Sequence, residues 1–595
     1  MRRAVAWGCA VALVAALAAG AFAQWRVAPE RVADSLNVAF GASPGFGWRA
    51  PDSATFSALP WPSLRLVGAD LDDTDGVALI SAPRARLDLS LIALLSGRFV
   101  PTRAVLVSPT VTLDTDRPAF IGVAQGFARE PRALAPLASL NLSNGLIRVV
   151  SKSRGLDTLI ENVSGRLDGL ATGDRLRVNL SAVWRDVPVA ITGVLADPEA
   201  AANAEPSHVQ FALVSRVANL VFRGAYTRGD DANVEGDLVA SVGSLAALTH
   251  LFGSPPPPFL ASDDISISGK AKATRDALTL SDAALTSAGQ TFEGALEIAE
   301  AGGRTNVSGT LAADSLALAA LLGPPQSLVD PGGGWSAAPF AIAPPQGFDL
   351  DLRLSAANLD VYGHALIDAA ASVIVKDGKL HANLDDATID RGRLNGEASV
   401  ERVEDDLKIR ARAELADADF GLDLAGLGFP AVTGQGAARF AVETTGRSPA
   451  AAAAGLSGTA SLEAADGAIA GLNLEEALRR GQRRPIDIDR DMRLGGTPFD
   501  RLEVSLALDR GVARIVKGEM KSRGMSADLA GAIDLSARTW DLTLSAAQTD
   551  AAGQQSEDAA RLTLDVTGPW AAPELRAGGD KVGPLTGSAP SPLAP

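Results

Sequence analysis

The sequence predicts a mainly β protein with a few short helices, preceded by one N-terminal apolar run. Three observations predict it. From residue 60 onward, polar and apolar residues alternate with a period of two, which places successive side chains on opposite faces of a strand. Dipeptides suited to tight turns punctuate the alternation: Asn144-Gly145, Asp377-Gly378, Asp466-Gly467 and Arg510-Gly511. A single long uncharged stretch, Ala4 to Trp25, stands apart from all of this.

Arg2 and Arg3 precede that stretch, which is 22 residues long. As a helix it would measure about 33 Å, enough for a bilayer core. The basic flank favours a cytoplasmic N-terminus with the rest of the chain outside the cytoplasm. Ala21-Phe22-Ala23 also fits a small-x-small cleavage site. Composition therefore leaves a retained anchor and a cleaved signal peptide both open. Pro29 to Phe40 reads as a short helix, with proline in the first turn, Glu30 at the positive end, and Val32, Leu36 and Phe40 on one face.

Ala78 to Pro118 reads as strand, short helix, strand, strand. Arg86 to Leu89 alternates, Leu91 to Leu95 is an apolar helical turn stopped by Gly97, and Pro109 separates Val105–Val107 from Thr110–Asp114. A strand running into a short apolar helix that stops at glycine recurs at Asp237–Gly253, Gly309–Gly323 and Ala413–Gly428. The spacing is irregular, so no solenoid repeat is expected. Pro255 to Pro258 is a rigid spacer, and Gly323 to Gly347 is rich in Pro and Gly. Ala450 to Ala454 follows Pro449 as a connector or short helix, and Gly578 to Pro595 has the composition of a disordered tail.

The clearest strand is Phe348 to Ser355, FDLDLRLS. Phe348, Leu350, Leu352 and Leu354 share one face, and two Asp, an Arg and a Ser share the other. Arg501 to Asp509 repeats the pattern with Leu502, Val504, Leu506 and Leu508. Arg175–Ser181, Leu407–Leu415, Thr539–Ser545 and Arg561–Thr567 behave alike. Strands with one apolar and one polar face are those of antiparallel sheets. At about 15 residues per strand and turn the chain holds roughly 30 strands, more than one open twisted sheet accommodates without curling or splitting. A long folded-over sheet with an apolar lining and a series of closed sandwiches both satisfy the pattern.

Composition narrows the chemistry. The 595-residue chain carries a net charge of −16, which repels a phosphate backbone, so no nucleic acid is expected as partner. Cys9 is the sole cysteine, so no intramolecular disulfide can form. The four histidines, His208, His250, His364 and His381, never fall at helical ligand spacing. Asp487 to Asp491 starts like a calcium loop, but Met492 replaces the required glycine and Pro498 the closing glutamate. Gly434-Gln435-Gly436 leads into a strand instead of a helix, and no nucleophile elbow, phosphate loop or metalloprotease motif occurs. No cofactor, no metal and no enzymatic activity are expected. Arg479, Arg480, Arg483 and Arg484 form a dense basic cluster after a helical stretch, Leu474–Leu478. It reads as a helix end complementing the dipole, or as a contact for an anionic headgroup.

The order of elements in Ala78–Pro118 resembles the N-terminal region of the AsmA-like envelope proteins. The stretch from Phe348 to about Ala577 resembles the family's C-terminal pattern: a D-x-D-L strand, a glycine before a strand, a D-G-x-L turn and a glycine-marked strand. Gly455–Leu478 is similar to the family segment in which a D-G-x-I-x-G-L turn enters a short helix. Thr567-Gly568-Pro569-Trp570 with Pro573 resembles its ending. Residues from about 120 to 345 match only in texture.

The resemblance implies a long curved antiparallel sheet forming an elongated hydrophobic groove, with short helices and one N-terminal transmembrane helix. The implied layout is an anchor over 1–25, an N-terminal AsmA-like region over 26–120, a middle β-rich region over 121–345, a C-terminal AsmA-like region over 346–577 and a tail over 578–595. It implies a single-pass inner-membrane protein, held by residues 4–25, with a cytoplasmic N-terminus and a periplasmic bulk. Its groove would carry phospholipid between inner and outer membranes, lined by Phe348, Leu350, Leu352, Leu354, Leu502, Val504, Leu506 and Leu508. The alternatives are an envelope scaffold that meets outer-membrane or assembly-machinery proteins through open sheet edges, and a secreted β-rich surface protein.

Overall fold

The computed structural model describes residues 24–39, 46–73, 78–114, 137–151, 156–169, 175–227, 233–251, 264–274, 277–301, 304–341, 348–389, 392–422, 432–470, 473–481, 495–550, 561–570 and 572–577. The apolar run up to residue 23, the four-proline spacer, the Asp487–Asp491 loop and the tail lie outside these. No described helix is long and apolar enough to cross a membrane. The chain forms two compact units, Met1–Pro256 with Ser262–Glu300, and Pro257–Ala261 with Ala301–Pro595.

In the first unit, β1 (Gln24–Val27) leads to α1 (Pro29–Ala39), the helix expected from Pro29 and Glu30. Its Val32, Ala33 and Leu36 are buried. Then come β2 (Phe46–Trp48), β3 (Ser53–Ser57), β4 (Ser63–Asp73) and β5 (Ala78–Leu89). Next, α2 (Leu91–Leu95) is capped by the Ser90 hydroxyl, which accepts from the Ala93 N–H at 3.3 Å. β6 (Pro101–Val107) and β7 (Thr110–Asp114) act as one strand bent at Ser108, whose φ is 53°. Both run antiparallel to β5 and parallel to β8 (Ser139–Ser151). Val32 and Leu36 pack with Leu64, Leu66, Leu87 and Leu137 into the core of this region.

From β8 the chain meanders. β9 (Leu156–Asp168), β10 (Leu176–Trp184), β11 (Val187–Leu195) and β12 (Ser207–Ser215) each pair antiparallel with the next. β13 (Ala218–Thr227), β14 (Asn233–Val242), β15 (Ile265–Ala273), β16 (Ala277–Ser287) and β17 (Gln290–Ala301) continue the ladder. Two short helices interrupt it, α3 (Pro198–Ala202) and α4 (Leu245–Leu251). Leu251 of α4 is buried with Val187 and Val217.

In the second unit, β18 (Arg304–Ala317) runs into α5 (Leu318–Leu322), which Gly323 ends with φ 75°. β19 (Phe348–Val361), β20 (His364–Lys376), β21 (Lys379–Ile389) and β22 (Gly392–Val403) follow. β23 (Asp406–Leu422) and β24 (Val432–Gly446) lead to α6 (Pro449–Gly455) and β25 (Ser457–Ala470). The alanine run is thus a helix, capped by Ser448. After α7 (Leu474–Gly481) come β26 (Gly496–Asp509), β27 (Val512–Ser522) and β28 (Met525–Asp534). β29 (Thr539–Gln548), β30 (Arg561–Pro569) and β31 (Glu574–Ala577) close the unit.

The mainly β architecture with few short helices is therefore the one the alternation predicts. Two features differ from the expectation. The ladder from β19 to β31 is antiparallel throughout, but β18 and β19 are parallel. Parallel neighbours need a long crossover, and residues 318–347 supply one. Of the four turn dipeptides, Asp377-Gly378 and Arg510-Gly511 do form two-residue hairpin turns, with φ of 51° and 72°, and 45° and 76°. Asn144-Gly145 and Asp466-Gly467 instead lie inside β8 and β25, where they make bulges. Such dipeptides encode a left-handed residue, and a bulge asks for one as a turn does. At Gly467 a Cβ would sit 1.9 Å from the Thr433 carbonyl oxygen, so only glycine fits. The strand–helix recurrence holds for β14 with α4 and β18 with α5; in the third instance β23 stays a strand to Leu422.

Candidate functional site

The register of the second unit aligns its apolar positions strand after strand. Leu350, Leu352 and Leu354 of β19 face Val307, Gly309 and Leu311 on one side and Val375, Val373 and Ala371 on the other. The row passes to Leu380, Ala382 and Leu384, then to Val400, Ala398 and Gly396. It proceeds through Ile409, Ala411 and Ala413 to Thr444, Val442 and Phe440. It reaches Gly458, Ala460 and Leu462, and then Leu508, Leu506 and Val504. A one-residue slip anywhere would turn the next strand's apolar set to the opposite face, so the whole row depends on each register.

Between β19 and β25 this face is covered unevenly: Val375 is buried, and so is Thr444, whose hydroxyl donates to the Ala452 carbonyl of α6 at 2.6 Å, whereas most of the row is only half-buried. Leu350, Leu352 and Leu354 are only half-buried while Asp351, Arg353 and Ser355 opposite them are exposed. Phe440 lies between Ala413 and Ala460 and remains 43% exposed, because its small neighbours cannot cover its ring. Contiguous apolar surface of this kind marks a ligand or partner site.

The opposite face carries cross-strand ion pairs at matched positions: Lys379 with Glu401 at 2.9 Å, Arg412 with Glu397 at 2.8 Å, Arg410 with Glu443 at 3.2 Å and Arg439 with Glu414 at 2.8 Å. Such exposed pairs contribute little stability. Their consequence is orientation, because they hold this side of the sheet in water. Glu503 continues the pattern: its hydrogen bond from Lys517, 2.8 Å away, holds its carboxyl below the usual range, with Arg501 adding to the effect.

Toward β26–β30 the same face is covered at both ends. At one end sits α7. Asn473 caps it by accepting from the Glu476 N–H at 3.1 Å, and the fully buried Thr497 hydroxyl accepts from the Leu474 N–H at 3.0 Å. Leu474, Ala477 and Leu478 then pack on Phe499, Leu502, Met520, Met525, Leu562 and Leu564. At the other end sits the β18–β19 crossover. Trp335 donates from Nε1 to the Leu535 carbonyl at 2.7 Å, and the Phe340 N–H donates to Arg447 at 2.9 Å. The Arg538 guanidinium lies over both Trp335 and Trp570, 5.5 and 5.2 Å from their ring centroids, and also donates to the Gly333 carbonyl. Trp570, Trp540, Ile533 and Ala513 complete this cluster.

The turn that presents Leu535 and Arg538 depends on Asp534. Its carboxylate accepts from the Ala537 N–H at 2.8 Å and the Ser536 hydroxyl at 2.7 Å, and these bonds lower its pKa from 3.8. A lowered carboxyl contributes stability that is complete above its ordinary value and is lost as pH falls through the folded value. The stability gap between wild type and Asp534→Ala should therefore shrink on acidification from about pH 6 to about pH 3, which urea titrations at each pH would measure.

The residues singled out from sequence fall in three settings. Phe348, Leu350, Leu352 and Leu354 lie half-buried on β19. Of the second set, Leu502 is buried beneath α7, Val504 packs beside it, Leu506 is half-buried opposite Ala460 and Ile515, and Leu508 joins the Trp335 cluster. Arg479 and Arg480 fall in the closing turn of α7; Arg483 and Arg484 lie outside the described residues. Sequence reading missed Trp335, Arg538 and Trp570 as a unit. The one local signal was a tryptophan inside a Gly-rich stretch, Gly332-Gly333-Gly334-Trp335. Among the described residues no group of three or more His, Cys, Asp or Glu is placed to hold a metal.

Residues 331–517 match the AsmA family, and this span takes in Trp335 of the crossover, the strands β19 to β26 and α7, but not β18. No curated protein and no solved structure matches the chain.

Proposed function

We propose that this AsmA family protein, whose membership supports an envelope-related role, shields phospholipid acyl chains along the apolar face of its second unit. It acts as an inner-membrane-anchored periplasmic conduit or carrier between the two membranes and supports outer-membrane homeostasis. The observation that carries this reading is the register-matched row from β19 to β25, mostly apolar and half-buried on one side, with Val375 and Thr444 its buried points, and ion-paired on the other. Each methylene withdrawn from water onto such a face gains about 0.8 kcal/mol. A phospholipid laid along it would bury its tails against Leu352, Val442 and Phe440 and leave its headgroup in water. The face requires neither a cofactor nor a catalytic group for this. Coverage by α7 and the Trp335 crossover gives the path a closed stretch at β26–β30 and an accessible stretch before it.

A photo-crosslinking residue at Leu352 or Val442 is expected to capture phospholipid in cells, and one at Asp351 is not. Mass spectrometry of the adducts reads the result. Equal capture at Leu352 and Asp351, or protein adducts alone at Leu352, would replace the conduit with the scaffold reading.

A further inference from the structure

The N-terminal end of the first unit carries a second apolar surface that the acyl-chain face does not include. Ile92 and Leu95 of α2 are 83% and 81% exposed, Leu91 is 52% exposed, and no residue of α2 is buried. Beside them, the loop between β3 and β4 exposes Trp61 (69%) and Leu59. The Leu89 N–H donates to the Pro62 carbonyl at 2.8 Å, so the loop and the start of α2 are held together. Five large apolar side chains on one loop and the adjoining short helix are more than scattered surface hydrophobes.

Topology places this surface next to the exit of the uncharged N-terminal run. Gln24, the first described residue, pairs with Ser57, and Ser57 pairs with Ser63. Ser63 pairs with Asp88, and Leu89 pairs with Pro101. All of these lie at one end of their strands. From β1 to β5 is three strand spacings, about 15 Å. Trp25 is itself partly exposed and stacks on Phe56, 5.9 Å between centroids. Charge agrees with the placement. Ser57–Leu64 contains no charged residue and Leu89–Thr102 contains only Arg98, although the whole chain carries −16.

We propose that α2 and the Leu59–Pro62 loop seat on the bilayer surface from which the chain emerges. Trp61, Ile92 and Leu95 enter the interfacial layer, and Arg98 reaches the anionic headgroups. Tryptophan at the headgroup level, aliphatic residues below it and no carboxylate on either segment is the composition such seating needs, and the neighbouring Asp88 is ion-paired with Arg86 and Arg103. The seat fixes the end of the first unit against the membrane at a second point besides the N-terminal run. The inference rests on the reading that residues 4–25 enter a bilayer.

The test uses the full chain in vesicles of phosphatidylethanolamine and phosphatidylglycerol, with an environment-sensitive dye at single cysteines and brominated acyl chains as quencher. Cys9 itself reports the anchor; Ile92→Cys and Leu95→Cys, each with Cys9→Ser, report the seat. Val38→Cys with Cys9→Ser is the control. Val38 is 84% exposed on α1, whose Asn37 bonds to Trp48, and Trp48 pairs with Leu71. That is eight residues along β4 from Ser63, about 26 Å away. Quenching at Ile92 and Leu95 at least about twofold above that at Val38 is expected. Quenching at Cys9 with Ile92 no different from Val38 would overturn the seat and leave the anchor standing. Quenching at Ile92 without Cys9 would reject the anchor and with it the seat beside an emerging chain, leaving a surface that binds membrane by itself, and quenching at neither rejects both. A blue-shifted but unquenched Ile92 dye would mean that protein covers the patch, which also overturns the seat.

Discussion

Leu352→Asp is expected to strip phospholipid from the chain while leaving it folded. Leu352 is half-buried, with Gly309 and Val373 as its cross-strand neighbours, so a carboxylate there stays hydrated in the empty protein. Its cost to folding should stay within the ordinary range of a point mutant, roughly 0.5–3 kcal/mol. Once acyl chains lie on the face, the same carboxylate must lose water with no partner. A charged side chain against hydrocarbon costs about 3 kcal/mol even on the mildest scale. At 1.4 kcal/mol per decade this is on the order of a hundredfold in lipid retained. Arg353→Asp, on the exposed side of the same strand, should leave retention unchanged. Lipid extraction and mass spectrometry of the purified variants give the measurement. Retention by Leu352→Asp equal to wild type would remove this face from the lipid path.

The second large effect falls on stability. Trp570→Ala should lower the unfolding free energy by about 3–5 kcal/mol, the usual range for a buried aromatic. Trp570 is 5% exposed and touches Trp335 and Trp540 at centroid distances of 6.4 and 6.2 Å, with Arg538 over its ring. Its loss leaves Arg538 over a single ring and frees one side of the Trp335 indole. Trp335→Ala should therefore cost less in the Trp570→Ala background than alone, because both act through one cluster. A urea titration of the four chains of this cycle measures the coupling, and protease nicking in 328–341 reports release of the crossover. An unchanged midpoint in Trp570→Ala would show that the crossover is held by other means.

Much of the architecture was legible because its determinants are local. Alternation within Phe348–Ser355 and Arg501–Asp509 specifies strands whatever lies around them. Asp377-Gly378 and Arg510-Gly511 specify left-handed pairs, and Gly323 ends α5 through its own φ. The same dipeptide chemistry at Asn144 and Asp466 misled, since a left-handed residue suits a bulge and a turn alike. The AsmA resemblance was carried by the order of such local signals, and the family match falls within the same C-terminal half.

The division between Leu352 and Leu502 was not legible. Both stand at apolar positions of alternating strands, and nothing within several residues of either tells them apart. Leu502 is buried because α7, capped by Asn473 and Thr497, folds back over it, and because Met520 and Leu564 arrive from β27 and β30. Leu352 stays half-buried because its row is made with Gly309, Val373 and Ala382 and lies outside the cluster that α7 closes. The crossover from β18 reaches Leu535 and Arg538, 200 and more residues further along the chain. By itself, then, the sequence determined strands, their two faces and the resemblance to the AsmA family over part of the chain. Tertiary structure alone decided which part of the apolar face is covered, because covering is done by segments remote in the chain and leaves no mark on the strand beneath.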